Sequence, residues 1–498
     1  MDNPEGQKKW FHAVGACGKA TANIAKMFKE MGWFVTGTDT QFVPPASTIL
    51  QDAGIAFELG YHYSHLTKEF WETKLGKTLN IPDKPDLGLI VETATSHNKE
   101  LLYAKKHNID IRPFAQILKD YLVKPESIVV TGTAGKTTTT AIITFLLREL
   151  GLNPSYMIGA DVIDFKDSLQ NTNSIYSVLE GDEYYSKELS PGAKFLQFKP
   201  KYGIITKISW EHVDVYPAEE EYINEFKKFV EIIPSDGLLI AKSGDKNIDQ
   251  VIMNAKCKVV RYGVDVKLLS LNQSLDYAIG YGSAKEEYVI FKGGNEIIKG
   301  TTSLLGSYNL ENILAAFIVF TEVLKNSDLN KFVEITSRFK GPRKRLEHLL
   351  KTDSLIVIDD FGVAPERAAN SLRTLKTYYP DYRITAVFEP NSGSRPTNPE
   401  IFKNIYKDSF KDAYNVLVPT LSDSPGLITT EDFVKNLKEL GFNVGHIPND
   451  NLQAELMKYT DDSKTLIIFF SAYRLTQIAH DFVSEASNLP WNQQKQSY

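Results

Sequence analysis

The 498-residue chain has 42% hydrophobic and 24% charged residues, an ordinary globular balance, and its length exceeds what one core serves, so about three domains are expected. Its 56 basic and 62 acidic residues leave a net charge of −6, which excludes a global field that would draw it to nucleic acid or an anionic membrane. Two cysteines, Cys17 and Cys257, exclude a disulfide framework and a cysteine zinc site; with no apolar run of about 18 residues and no cleavage-like leader, the chain reads as cytoplasmic.

Residues 1–123 alternate short apolar runs with helical stretches: WFHAVG, a helix from about Thr21 to Met31, WFVTGTD, and a second unit ending in LGLIVETAT. Such alternation predicts a parallel sheet covered by helices. The segment KPES at 124–127 separates the helix AQILKDYLV from a new apolar strand and reads as a linker. A second domain, 124–341, opens with strand, glycine loop and helix, followed by strands at SIYSVLEGD, YGIITKIS and GLLIAKS. Residues 262–302, with Gly293-Gly294, predict an antiparallel edge or a small subdomain, and a helix begins near Leu310. A third αβ unit, 342–498, runs from SLIVIDD through a helix from about Pro365 to Thr377 to RITAVFEP, YNVLVPT and TLIIFF.

Residues 128–140 read IVVTGTAGKTTTT. A β-branched strand enters Gly132-Thr133-Ala134-Gly135-Lys136-Thr137 and an apolar-periodic helix follows, which is the context of a phosphate-binding loop. Glycines let backbone N–H groups aim at phosphate oxygens, and the helix N-terminus adds partial positive charge. Lys136 supplies a full charge to the β- and γ-phosphates, and the Thr137 hydroxyl suits Mg²⁺. A glycine turn with a solvated lysine is the plainer alternative; the order of strand, loop, Lys-Thr and helix favours a nucleoside triphosphate. The common GxxxxGK[ST] spacing would put its first Gly where Val130 stands, which points away from GTPases and general kinases.

The compact GTAGKTTT resembles the phosphate loop of the Mur ligase family, enzymes that build the peptide stem of peptidoglycan. Further segments match that family's motifs in order: EGDEYY at 180–185, EHVD at 211–214, GSYNLEN at 306–312, FKGPRKRLE at 339–347 and DDFGVAP at 359–365. GACG at 15–18, followed by a helix and VTGTD at 35–39, is similar to the UDP-sugar domain of the branch that ligates to UDP-N-acetylmuramate. Cys17 in that loop and FEPNS at 388–392 look more like the members that add a murein peptide than those that add alanine.

The resemblance implies an α/β fold of three domains: an N-terminal Rossmann-like domain, a central P-loop ATPase-like domain and a C-terminal Rossmann-like domain. It implies an ATP-dependent, ADP-forming ligase joining an amino acid or peptide to a UDP-N-acetylmuramate-like sugar nucleotide through an acyl phosphate. By the same resemblance Thr137, Glu180 and His212 hold Mg²⁺, and Lys136, Glu180, His212 and Arg345 carry the phosphoryl transfer. Gly132, Thr133, Gly135, Lys136, Thr137, Thr138, Asn309, Asn312, Arg345 and Asp360 bind ATP. Gly15, Cys17, Gly18, Asp39, Thr95 and Asn98 line the sugar-nucleotide site, and Ser392 and Arg395 the amine pocket.

Other readings stay open residue by residue. His212 alone would be a surface or structural histidine, Asn309 or Thr95 a helix N-cap, and Arg345 a solvated charge. Gly15 to Asp39 would also suit an NAD-binding domain. Three family histidines are replaced, by Ala134, Tyr308 and Val363, and Lys19, Ala20 and Asn23 stand where small or Gly residues are more usual. These departures leave open a different acceptor, or a nucleotide-binding regulatory protein that does not ligate.

Overall fold

The computed structural model describes residues 6–91, 96–185, 192–212, 215–264, 275–284, 286–423, 425–460, 464–472 and 474–487. The chain divides into two compact units, Met1–Thr302 with Ser307–Lys340, and Ser303–Gly306 with Gly341–Tyr498. Three sheets organise them.

The first sheet is parallel throughout, in the order Ala56–Leu59, Phe34–Asp39, Trp10–Val14, Leu87–Ile90, Ile111–Pro113. Its central strands, WFHAV and LGLI, are buried along their whole length, which is why they read as continuous runs rather than alternations. The helix Lys19–Glu30 follows the glycine loop and packs Ile24, Met27 and Phe28 inward. Its opposite edge carries Lys19, Asn23 and Lys26, spaced to share one face. Lys19 pairs with Asp161 at 2.7 Å, Asn23 Nδ2 donates to Ser168 Oγ at 3.1 Å, and Lys26 pairs with Asp167. Two of the departures from the family pattern, Lys19 and Asn23, thus tie this helix to a loop of the second sheet.

The second sheet runs Asn295–Thr301, Glu287–Lys292, Tyr277–Tyr281, Lys258–Val264, Leu238–Lys242, Tyr202–Ile205, Glu126–Thr131, Tyr176–Gly181, Ser155–Met157, Leu169–Gln170. From Tyr277–Tyr281 to Ser155–Met157 the pairing is parallel; both ends are antiparallel. The hairpin turns at Gly293 and Gly294, with φ of 55° and 85°, as its tight geometry requires. It extends the sheet edge instead of forming a separate subdomain. The KPES segment is held in place: the strand begins within it, at Glu126, and the Lys124 N–H donates to Ser177 Oγ at 3.0 Å. One apolar cluster runs from Phe11 and Phe28 through Phe114 and Leu118 to Phe195 and Phe229, so both sheets of this unit share a core.

In the second unit the order is Glu347–Lys351, Leu355–Asp360, Thr465–Phe470, Arg383–Phe388, Asn415–Pro419, Val444–Ile447, parallel except for the first strand. The helix Pro365–Tyr378 covers one face, opened by Pro365 in its first turn. Among the described residues no helix is long and apolar enough to cross a membrane.

Candidate functional site

The strand Glu126–Thr131 delivers the glycine loop and the helix Lys136–Glu149 leaves it. Gly132 and Gly135 have φ of 126° and 86°. A Cβ on Gly132 would stand 2.5 Å from Thr206 Oγ1, and one on Gly135 2.8 Å from Asn312 Oδ1, so both positions require glycine. The loop is braced from the neighbouring strand end: the Thr206 hydroxyl donates to the Ala134 carbonyl at 2.6 Å, and the Thr133 N–H to the Lys207 carbonyl at 2.9 Å. Behind it, the Thr139 hydroxyl donates to Asn312 Oδ1 at 3.0 Å, and Asn312 Nδ2 to Asn309 Oδ1 at 2.9 Å. Asn309 is the third residue of the helix Ser307–Ile318, inside it and not its N-cap. Thr138 is half-buried in the first turn of the phosphate-loop helix.

Two acids close the site. Glu180, near the end of the strand Tyr176–Gly181, accepts the Thr137 hydroxyl at 2.9 Å and the Gly159 N–H at 2.6 Å, while burial raises its pKa. Glu183, 1% exposed, lies 2.7 Å from Lys136 Nζ and 3.4 Å from His212 Nε2. Burial alone would lower the Lys136 pKa, but the Glu183 carboxylate outweighs it and raises it. The hydrogen bond to Glu183 likewise raises that of His212. His212 sits at φ 56°, a conformation uncommon outside glycine, and its carbonyl accepts the Val215 and Tyr216 N–H groups. Glu183, Glu211 and His212 each offer a ligand atom within 4.8 Å of the others. The donors therefore fall in two sets, Thr137 with Glu180 and His212 with Glu183 and Glu211. A hydroxyl with a carboxylate suits a hard divalent cation, and the second set adds a nitrogen to oxygens.

At the first sheet, Gly15 has φ 85° and a Cβ there would stand 2.3 Å from Val91 Cγ2. The N–H groups of Gly15 and Ala16 donate to the Thr38 carbonyl, and that of Cys17 to Asp39 Oδ2 at 2.7 Å. Asp39 also accepts the Thr40 N–H at 2.7 Å, so this carboxylate braces the glycine loop. Gly18 opens the helix Lys19–Glu30. Asn98 caps the helix Lys99–Lys106 through the Glu100 and Leu101 N–H groups, at 2.9 and 3.2 Å. Thr95, Val213 and Asp214 lie outside the described residues.

Within the second unit, Arg345 is exposed with its guanidinium 5.6 Å from the Phe361 ring centroid, flanked by Lys344 and Leu346 at φ 56° and 50°. Asp360 accepts the Leu346 N–H at 2.8 Å, and burial pushes its pKa up to about 6. Ser392 is exposed at the start of the short helical turn Ser392–Ser394. Arg395 is 3% exposed and donates to the carbonyls of Ser422 at 2.8 Å and Ile428 at 2.5 Å. Its guanidinium braces the loop that carries those carbonyls.

Two family models match the chain, the catalytic domain of the Mur ligase family over residues 11–123 and the Mur ligase middle domain over residues 130–320. The chain belongs to the Mur ligase family. Among its curated relatives, the UDP-N-acetylmuramate–L-alanine ligase of Clostridium kluyveri is 28% identical over 78% of this chain and 79% of its own length. The ligase of Haemophilus influenzae named for UDP-N-acetylmuramate and L-alanyl-γ-D-glutamyl-meso-2,6-diaminoheptandioate is 25% identical over 78% and 80%. The fold is that of the UDP-N-acetylmuramate-alanine ligase of Thermotoga maritima, with a TM-score of 0.71 and 22% identity over 96% of this chain and 99% of that one. A murein peptide ligase of Psychrobacter arcticus follows at 0.65, with 20% identity over 97% and 99%.

Against this Mur ligase framework the structure adds residues that sequence reading passed over. Glu183 and Glu211 were visible as acids beside the expected ligands, but sequence gives no sign that Glu183 would turn to Lys136. Gly159 and Thr206 stand in segments without a motif and reach the site only through the tertiary fold.

Proposed function

We propose that this Mur ligase joins an amino acid or peptide to the carboxylate of a UDP-N-acetylmuramate-like sugar nucleotide, forming ADP and phosphate. The observation that carries the reading is the arrangement of Lys136 and Thr137 at the start of a helix behind two obligate glycines, with Glu180 hydrogen-bonded to Thr137. A carboxylate oxygen attacks the γ-phosphorus and ADP leaves. The amine nitrogen then adds to the acyl carbon, inorganic phosphate departs and the amine loses a proton. Two anions must be brought together in the first step, so charge neutralisation and alignment supply most of the catalysis.

Lys136 neutralises the phosphates, and the loop N–H groups orient them. Thr137 and Glu180 would hold Mg²⁺, with His212 contributing from the second set; a bound Mg²⁺ supplies charge neutralisation at the phosphate oxygens. We assign Gly15, Cys17, Gly18 and Asn98 to the sugar-nucleotide site and Asn309, Asn312, Arg345 and Asp360 to ATP. We place the reaction in the cytoplasm, where ATP is available. Support comes from relatives that include both alanine-adding and peptide-adding ligases.

The test is trapping with hydroxylamine. Purified protein with ATP, Mg²⁺ and UDP-N-acetylmuramate should form a hydroxamate and ADP, and phosphate release should identify the acceptor among alanine and the murein tripeptide. No hydroxamate and no phosphate with any pairing would refute the ligase reading.

A further inference from the structure

In this structure the lysine of the phosphate loop is already engaged. Lys136 Nζ lies 2.7 Å from Glu183 Oε2, with the two side chains 14% and 1% exposed. The other oxygen of Glu183 faces His212 Nε2 at 3.4 Å. The Tyr216 hydroxyl donates to the Glu183 backbone carbonyl at 2.6 Å, which anchors the main chain and leaves the side chain as the part free to swing. A phosphate brought to Lys136 would meet this buried carboxylate, and like charges in a poorly solvated pocket repel strongly.

A second position for the carboxylate is built in. The Tyr222 hydroxyl is buried with no well-formed hydrogen bond, yet it lies within reach of Glu183, the strongest of the charges acting on it. A buried hydroxyl without an acceptor is unfavourable, and a carboxylate turned toward it would relieve that. Glu211 and His212 stand on the same side, with ligand atoms within 4.8 Å of one from Glu183.

We propose that Glu183 stands in for phosphate on Lys136 and yields only when a divalent cation engages its carboxylate, with the Tyr222 hydroxyl donating to the displaced side chain. Lys136 is thereby withheld from metal-free nucleotide, and ATP enters productively only with its cation. Glu183 is a positioning residue, acting through Lys136. The inference rests on reading the loop as a nucleotide site.

The experiment is calorimetric titration of the full chain with a non-hydrolysable ATP analogue, in EDTA and in Mg²⁺. Wild type should bind the metal-free analogue far more weakly than its Mg²⁺ complex, and Glu183→Gln should tighten metal-free binding by about tenfold or more, because it removes a buried competing charge. Tyr222→Phe keeps the Lys136–Glu183 pair and should weaken binding of the Mg²⁺ complex alone. Metal-free affinity that is unchanged or lower in folded Glu183→Gln overturns the proposal, as does a wild type indifferent to Mg²⁺. Should Glu183→Gln not fold, a Tyr222→Phe variant that binds the Mg²⁺ complex like wild type overturns it. Failure of wild type to bind the analogue even with Mg²⁺ would instead sink the nucleotide reading itself.

Discussion

Glu100 offers a test of the first sheet that is independent of catalysis. Its carboxylate is fully buried and accepts the Thr38 hydroxyl at 2.7 Å and the His62 N–H at 3.2 Å, with His65 Nδ1 at 2.8 Å and His12 Nε2 at 3.5 Å. Burial alone would raise its pKa, but the hydrogen bonds from His12 and His65 outweigh it and lower the value from 4.5 to about 2. A group whose folded pKa is depressed contributes stability that is present above 4.5 and is lost as pH falls toward 2. A shift of this size corresponds to about 3 kcal/mol at pH 7, falling to about half that by pH 3. Glu100→Gln should therefore lower stability by about 3 kcal/mol at neutral pH, and its gap from wild type should narrow as the solution is acidified. The indole N–H groups of Trp10 and Trp71 bond Thr36 and the His65 carbonyl, so tryptophan fluorescence in urea reports on this network. A gap that stays constant from pH 7 to about pH 3 would show that the charge of Glu100 is not what stabilises the sheet.

Lys136→Ala should abolish ADP formation while the melting profile stays that of a folded protein, because a cation is removed from a site that aligns anions; normal turnover in the folded variant would contradict the assignment. In Gly159→Ala the new Cβ would stand 2.8 Å from both carboxylate oxygens of Glu180, which must then leave the Gly159 N–H. Loss of one hydrogen bond to a charged group predicts about tenfold weaker binding of the Mg²⁺-nucleotide, read by calorimetry; unchanged affinity would count against a role for Glu180. Lys344→Met strands Asp359, 2% exposed and paired at 2.8 Å, and should destabilise the second unit by about 3 kcal/mol or more. Adding Asp359→Asn should recover much of that in thermal melting, and a double variant no more stable than the single one would refute the pairing argument.

What was legible in the sequence follows from which interactions are local. The strands WFHAV and SIVVT are continuous apolar runs flanked by glycine loops, so their parallel, doubly covered setting could be read directly. The turn at Gly293 and Gly294 was legible because only residues tolerant of positive φ fit it. At 124–127 Pro125 marks a change of element, between the two matched family domains, but says nothing about what packs there; Ser177 and Lys199 arrive from distant sequence to bind it. Lys19 and Asn23 looked like anomalies of a glycine loop for the same reason. Their partners Asp161 and Ser168 are more than a hundred residues away.

The site shows where this limit bites hardest. Motif spacing selects residue types that can neutralise phosphate and hold a cation, and Lys136, Thr137, Glu180 and His212 do converge on one end of the second sheet. Spacing cannot say which acid each cation meets, because Glu180 and Glu183 are three residues apart across a strand end, past which the chain leaves regular geometry. Gly159 decides it by taking one oxygen of Glu180, which leaves Glu183 to turn toward Lys136 and His212. A single backbone N–H from a segment without any motif therefore holds Glu180 beside Thr137, apart from the pair that Glu183 makes with Lys136. Glycine at that position is as necessary to the charge arrangement as the residues the motifs name.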